Sequence, residues 1–302
     1  MNSLIKNLLK YSVLYPVVVL RRMYDKRLAK NNPEKWFSEM HRRSTGVALN
    51  IDNPHNLNEK IAYMSFRTDT SKWTLLADKI GIHKYAEECG LNGILPKLYG
   101  TYSCSAEIDY DKLPNQFVIK TNNASATNII VRDKSKLNFA DTNKKLDKWL
   151  RIDYGAKTCQ PHYSRIKPMI LAEELLIDHN HPGQPLIDYK FYCVNGEPLY
   201  VFVYVDRKDN SHIMKRMVYD MQWNSHPEYL GPQAVASSGT NRPTSFAEMQ
   251  KLARVLSQPF KFVRVDFYDI DNKAILWEMS FTPGLQEASV EFLDLLGGMI
   301  QL

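Results

Sequence analysis

The chain has 302 residues, of which 44% are hydrophobic and 24% charged, with a net charge of +6. That is a globular composition, sufficient for one large or two moderate domains, and it excludes a disordered or fibrous chain. The charge also excludes a nucleic-acid-binding surface on the main body: Lys6, Lys10, Arg21, Arg22, Lys26, Arg27 and Lys30 meet only Asp25 within residues 1–30, and the remainder balances.

Residues 4–20 begin amphipathic, with Leu4, Ile5, Leu8 and Leu9 at helical spacing opposite Lys6, Asn7 and Lys10. They continue into an apolar run interrupted by Pro16 and closed by Arg21 and Arg22. The run falls short of the ~20 apolar residues that span a bilayer. No small-residue cleavage site precedes the basic cluster, which disfavours a secretory signal. Two readings stay open for residues 1–30: an interfacial anchor with its cations toward an anionic membrane surface, or a helix packed on protein.

Residues 31–115 read as mainly helical. Asn56, with Glu59 three residues on, is the predicted N-cap of LNEKIAYMSF, and a second helix through TSKWTLLADKIGIHKYAEECG stops at Gly90. The short strand GILPKLYG follows. Cys89, Cys104, Cys159 and Cys193 show neither close pairing nor metal-ligand spacing, which points to a reducing, cytoplasmic compartment.

The strand QFVIK delivers Lys120 to a loop of small and polar residues, Thr121 to Asn128, which returns as IIVRD. Backbone N–H groups of such a loop can close over phosphate oxygens while the lysine adds charge. An ordinary polar hairpin is the alternative, because this is not a Walker loop. A covering helix spans residues 138–154, and PMILAEELL is a buried strand running into Glu173 and Glu174. His179 and His181, in HNHPGQP, read as loop residues.

Asn195-Gly196 is a two-residue hairpin turn. Its register pairs Lys190 with Val201 and Asp188 with Val203, so two charges share a valine-lined face. Burying them calls for a polar ligand there, unless the lysine reaches the sheet edge. Arg207, at the end of the second strand, is a candidate anion contact. A turn-rich excursion from Met217 to Thr244 reads as a lid or acceptor-binding loop. Ser245 and Glu248 are predicted to form a capping box for SFAEMQKLARVLSQ.

Then come two strands, VRVDFY and AILWEMSF, each with a greasy and a chemical face. A three-residue loop, Asp271 to Lys273, places Asp266 opposite Glu278 and Arg264 opposite Ser280. Facing carboxylates repel unless a cation lies between them, and such oxygen ligands suit Mg²⁺; solvated carboxylates on an exposed face are the alternative.

These features together resemble the ATP-grasp superfamily. More closely, LNEKIAYM, LADK, LPNQFVIKTN, NIIVRDKSKL, DYKFYCVNG, VYVDR, YDMQW, FVRVDFYDI and WEMSFTPG resemble its TupA-like branch, associated with cell-surface polysaccharide and teichuronopeptide synthesis, from about residue 45 to the C-terminus. The resemblance implies an α+β fold with two lobes clamping a nucleotide: a basic N-terminal segment (1–30), a helical region (31–115), a small lobe (116–170) and a large lobe with the metal site (171–302). It implies ligation of a carboxylate to an amine through an acyl phosphate, using ATP and Mg²⁺. Lys120 and Lys190 match the phosphate lysines, with Asn123 and Ser125 in the phosphate loop. Glu173, Glu174 and Leu176 fall where the interlobe segment meets adenine, and Asp178 near ribose. Asp266 and Glu278 match the metal ligands, with Ser280 where an asparagine is frequent; Arg264 and Arg207 would steady phosphate or the tetrahedral anion.

Where the branch reads His-Gly-Ser-Gly, this chain has Asn123-Ala124-Ser125-Ala126. Alanine does not freely adopt positive φ, so the loop is expected to close differently. The expected partners are a small-molecule amine and a carboxylate or saccharide acceptor of the uronic-acid type, at the cytoplasmic face of the membrane, and no nucleic acid. A nucleotide-binding scaffold without catalysis and a glycosyltransferase are the competing classes.

Overall fold

The computed structural model describes residues 15–205 and 214–302. Residues 1–14, which carry the first part of the amphipathic pattern, and Arg207 lie outside them. Helices α1 (Tyr15–Asn31) and α2 (Pro33–Thr45) pair through Asp25, which accepts from Arg21 and Arg43 at 3.3 and 3.2 Å, and α1 also touches the short helix Tyr154–Thr158. Pro16 sits in the first turn of α1, where its missing N–H has no helical partner to lose.

Helix α3 (Leu57–Arg67) starts with the capping box read from Asn56 and Glu59. The predicted second helix is two short ones, α4 (Ser71–Ala77) and α5 (Gly81–Glu88). Between them the Asp78 Oδ1 accepts the Ile80 N–H at 2.9 Å, a local bond that competes with the helix ladder. Gly81 is required at the break, because a Cβ there would lie 2.2 Å from the Leu75 carbonyl oxygen.

Two sheets follow. The first is built from β1 (Leu98–Tyr102), β2 (Phe117–Thr121), β3 (Asn128–Val131) and β4 (Ile170–Glu173) in the order β1-β4-β2-β3. Helices α6 (Phe139–Leu150), α7 (Tyr154–Thr158) and α8 (Pro161–Ser164) lie between β3 and β4. Leu146 of α6 closes a small core over Phe117, Ile119 and Ala172.

The second sheet has six strands in the order β10-β9-β5-β6-β7-β8. They are β5 (Asp188–Val194), β6 (Glu197–Val205), β7 (Lys215–Asp220), β8 (Val235–Ala236), β9 (Phe262–Ile270) and β10 (Lys273–Ser280). Helix α9 (Phe246–Ser257) joins the large core with Phe191, Val265 and Phe267. Helix α10 (Val290–Met299) places Phe292 against Tyr192, Tyr200 and Phe202 on the opposite face. That face holds the charged residues beyond the aromatic cover.

Two registers differ in origin from the sequence reading. Lys190 pairs with Phe202 and Asp188 with Tyr204, not with Val201 and Val203, because β6 carries a bulge at Leu199, next to Pro198. Pro has no N–H for the ladder, and bulges are where sheets accept it. In the last hairpin the turn is two residues, Asp271 and Asn272, both at positive φ, and Lys273 already pairs with Ile270. A compensating bulge at Trp277 restores the expected pairs Asp266–Glu278 and Arg264–Ser280.

Ser245 makes no side-chain cap bond to α9, and Glu248 instead accepts the Ala274 N–H at 2.9 Å, bracing β10. The excursion after β7 is tied down: Trp223 stacks on Tyr219 at 4.2 Å and donates to the Thr240 carbonyl at 3.2 Å. All four cysteines are free, and no described helix is long and apolar enough to cross a membrane.

Helix α10 seats against the start of α3 through Gly297, where an added Cβ would meet His55 O at 2.4 Å and Asn56 backbone atoms at 2.6 Å. Gly297→Ala should therefore cost about 1–3 kcal/mol in urea unfolding, even though alanine favours helix. A neutral or stabilised variant would show that the two helices can part without loss.

Candidate functional site

The charged face of the second sheet is organised around Asp266, whose side chain is fully buried. Lys190, Asp266 and Glu278 are successive register partners across β5, β9 and β10, so their side chains form one row. Arg264 lies two residues along β9, on the same face. Its Nε and Nη2 donate to the two Asp266 oxygens at 2.7 and 2.5 Å, and Lys190 Nζ adds a bond at 2.8 Å. Burial pushes the Asp266 carboxyl up, but Arg264 and Lys190 outweigh it and hold the group below the usual carboxylate range.

Lys190 also contacts Asp188 Oδ2 at 2.7 Å and lies 4.9 Å from the Trp277 ring and 5.2 Å from the Tyr204 ring. Trp277, expected on the greasy face, is turned here by the bulge and donates Nε1–H to Asp188 at 3.2 Å. Glu278 stays 30% exposed, 3.6 Å from Arg264, and Ser280 is buried beside it in the register.

The first sheet contributes a second charged group. Lys120 and Glu173, on neighbouring strands β2 and β4, form a close ion pair. Lys79, in the break between α4 and α5, donates to the Ala124 carbonyl at 2.7 Å and to that of Asn122 at 3.4 Å. Burial, then repulsion by Lys120, pushes its ammonium down to about 8, while Glu278 and Glu173 act the other way. Lys79 thus senses both sheets. The sequence reading noticed LADK only as part of a resemblance; the usable signal was Asp78 followed by Gly81, which breaks the helix there.

The polar loop is held from below. Asn122 donates to Asp78 Oδ1 at 2.9 Å and to the Lys167 carbonyl at 3.0 Å, and accepts from the Met169 N–H at 2.7 Å. Asn123 is buried and donates to the Ile152 carbonyl at 2.9 Å; its Oδ1 has no partner among the described residues. Ala124 is buried, Ser125 is exposed, and Ala126 takes φ +58°. A left-handed conformation is thus present without glycine, at a cost of roughly 1–2 kcal/mol. Tyr154 and Tyr163, from α7 and α8, lie within the field of Glu278, and burial first raises both phenols.

Other predicted residues lie elsewhere. Glu174 is exposed and accepts the Lys97 N–H at 3.1 Å, and Leu176 is half-buried on the segment joining the sheets. Asp178 contacts His181 at 2.7 Å and the Asp271 N–H at 3.4 Å, while His179 contacts Asp271 at 2.8 Å, so this group ties the loop to the last hairpin. Among the described residues no set of three His, Cys, Asp or Glu could hold a metal unaided. Asp266, Glu278 and Ser280 are nevertheless hard oxygen donors, and Mg²⁺ commonly takes one or two carboxylates plus phosphate and water. The set fits an ion that arrives with phosphate.

Two sheets, one with a lysine at a strand end before a polar loop and the other with a buried lysine beside an Arg-x-Asp and Glu-x-Ser hairpin, are the features of an ATP-grasp protein. The family model described as TupA-like ATPgrasp matches residues 59–301, and the chain belongs to that family. Among solved structures it is similar to D-alanine–D-alanine ligase from Bacillus anthracis, with 14% identity over 75% of this chain and 64% of that one, and a TM-score of 0.45. The ligase of the same title from Helicobacter pylori has 15% identity over 82% and 67%, with a TM-score of 0.41. Phosphoribosylamine–glycine ligase from Thermotoga maritima has 12% identity over 76% and 50%, with a TM-score of 0.42. The chain thus spans under two thirds of the length of the Bacillus anthracis ligase. No curated protein matches.

The Lys79 ammonium titrates at about 8 in the folded protein against 10.5 as its ordinary value. Between those values the unfolded chain binds more protons, so this group makes stability rise with pH. The stability of wild type minus that of Lys79→Met should therefore increase from pH 8 to 10.5, by at most ~1.4 kcal/mol per pH unit, in urea unfolding. A flat difference would mean that the ammonium is solvated.

Proposed function

We propose that the protein is an ATP-dependent ligase joining an amine to a carboxylate, with a uronic-acid-type acceptor in surface polysaccharide assembly. The observation that carries this reading is the buried Asp266 with Arg264 and Lys190 beside Glu278, whose field reaches Lys79 next to Lys120. Phosphoryl transfer needs positioning and neutralisation of oxygen charge more than covalent help from the protein. Lys120, Lys190 and the 121–128 loop hold ATP phosphates, with Asn123 and Ser125 lining the loop. Glu173, Glu174 and Leu176 border adenine, and Asp178 is assigned to ribose. Asp266, Glu278 and Ser280 would hold Mg²⁺, which supplies neutralisation of phosphate charge.

The substrate carboxylate attacks the γ-phosphorus and ADP leaves. The amine lone pair then attacks the acyl carbon, the C–O bond to phosphate breaks, and the amide forms. Starting from an ammonium, two protons are released: one leaves on hydrogen phosphate and one goes to solvent. Arg264, joined by Arg207, steadies the tetrahedral oxyanion, and the closed site keeps water from the acyl phosphate.

The protein works at the cytoplasmic face of the membrane. Supporting this are the bases of residues 1–30 and the exposed Val17, Leu20, Met23 and Tyr24 on α1, apolar side chains at helical spacing among cations.

Lys190→Ala and Asp266→Asn should each lower amine-dependent ADP release by at least ~100-fold. A purified protein that binds no Mg-ATP with any acceptor present would sink the ligase assignment. Removal of residues 1–30 should abolish co-sedimentation with anionic vesicles at moderate salt and leave neutral vesicles unaffected. Equal sedimentation of both forms would place the segment against protein instead.

A further inference from the structure

A further fixed carboxylate lies on the charged face, beyond the groups used above. Glu287 follows β10 on a segment clamped through its backbone. Gly231 N–H donates to the Glu287 carbonyl at 2.8 Å and Ser289 N–H to that of Tyr229 at 2.9 Å. Gly231 permits this approach, since a Cβ there would lie 2.6 Å from the Ala288 oxygen. The Glu287 side chain is held at both oxygens: Arg216 Nη2 lies 2.8 Å from Oε1, and the Tyr204 hydroxyl donates to Oε2 at 2.7 Å. Arg216 is 4% exposed and sits 5.1 Å from the Tyr204 ring. That same ring is 5.2 Å from Lys190 Nζ. The nearby Tyr192 phenol, raised to about 12 chiefly by burial, feels Arg264, Asp266 and Glu287 together. Glu287 therefore lies next to the charged row, with Tyr204 between it and Lys190.

Its chemistry differs from that of its neighbours. Asp188 and Asp266 are buried against Lys190, and Glu278 belongs to the metal set. The Glu287 carboxylate keeps 30% of its side chain exposed. Each carboxylate oxygen can accept two hydrogen bonds, and among the described residues each has one donor. A carboxylate locked in orientation, open on one side and bordering an anion-binding floor, is suited to receive a cation from the substrate.

The geometry points to Glu287 as the binding site for the ammonium of the incoming amine, with Arg216 and Tyr204 as positioning residues that fix its orientation. This rests on the ligase reading above. The substrate class it selects is a primary amine that is protonated at neutral pH, such as an amino acid or an amino sugar. The alternative role for Glu287 is neutralisation of the buried Arg216 alone.

The two roles separate when two nucleophiles are compared. Hydroxylamine is uncharged at neutral pH and traps acyl phosphates as hydroxamates, whereas amino acids and amino sugars arrive as ammonium ions. With a panel of uronic acids and ATP, kcat/KM is measured for each amine and for hydroxylamine, in wild type and in Glu287→Gln. The ratio of amine to hydroxylamine kcat/KM should fall roughly 10-fold or more in the variant, as expected for loss of a charge-assisted bond. Tyr204→Phe, which keeps the ring and removes the hydroxyl, should lower the same ratio by a smaller factor. A ratio unchanged in both variants, whatever the absolute rates, overturns the assignment, because a purely structural role scales both nucleophiles alike. Wild-type protein that yields neither amide nor hydroxamate overturns the ligase reading, and this assignment with it.

Discussion

The arrangement depends on keeping one carboxylate ionised in the middle of a sheet. Asp266 is fully buried on β9, between the edge strand β10 and β5 of the larger sheet. An isolated ion in that position costs several kcal/mol, and it persists because Arg264 grips both oxygens and Lys190 donates from the next strand. The Lys190–Asp266 bond joins register partners on adjacent strands, so those charges are spaced as the strands are, while Arg264 reaches Asp266 from two residues along the same strand. A surface loop could not hold like and unlike charges so close without drifting. Under the proposed function this rigid row is the floor for phosphate oxygens and a divalent ion.

The floor alone has nothing to close against. The opposing wall comes from the smaller sheet, through Lys120 and Glu173, and from a short helical break that presents Lys79. Lys79 bonds the carbonyls of the polar loop from inside and feels Glu278 of the other sheet. Aromatic packing supports this: Trp73 of α4 stacks on Phe281 at 5.0 Å, immediately after Ser280. The helical N-terminal region is therefore a bracket that sets the loop's height above the floor. Ala126 in a left-handed conformation fits the same picture, since a backbone anchored by Asn122, Asn123 and Lys79 imposes a φ that alanine would not choose.

A third layer of organisation is the aromatic seam on the charged face. Phe292 covers Tyr192, Tyr200 and Phe202, and the cover ends where Tyr204 stands between Lys190 and Arg216. The Tyr204 ring thus adds a cation–ring contact on each side to the ion pairs that Lys190 and Arg216 already make, and stands between the two charge clusters.

Much of this was legible from residues alone. Alternation in VRVDFY and AILWEMSF put Arg264, Asp266, Glu278 and Ser280 on one face, and Lys120 stands at the end of a strand before a polar loop, as read; ordered motifs carried the family. These succeed because strand alternation and capping are local, set by sterics over a few residues. The failures share a cause. Whether Lys190 faces Val201 or Phe202 turns on one bulge beside Pro198. Whether residues 71–88 are one helix or two turns on a carbonyl contact at Gly81. Whether Glu248 caps a helix or braces β10 depends on a strand that arrives later in the chain. The sequence by itself determined the charged face of the last hairpin, because strand alternation is short-range geometry, while its ordered motifs carried the resemblance to the family and with it the α+β class. Only the tertiary structure decided that Lys79 and Glu287 border that face, because it is long-range packing that brings residues so far apart in the chain to one surface.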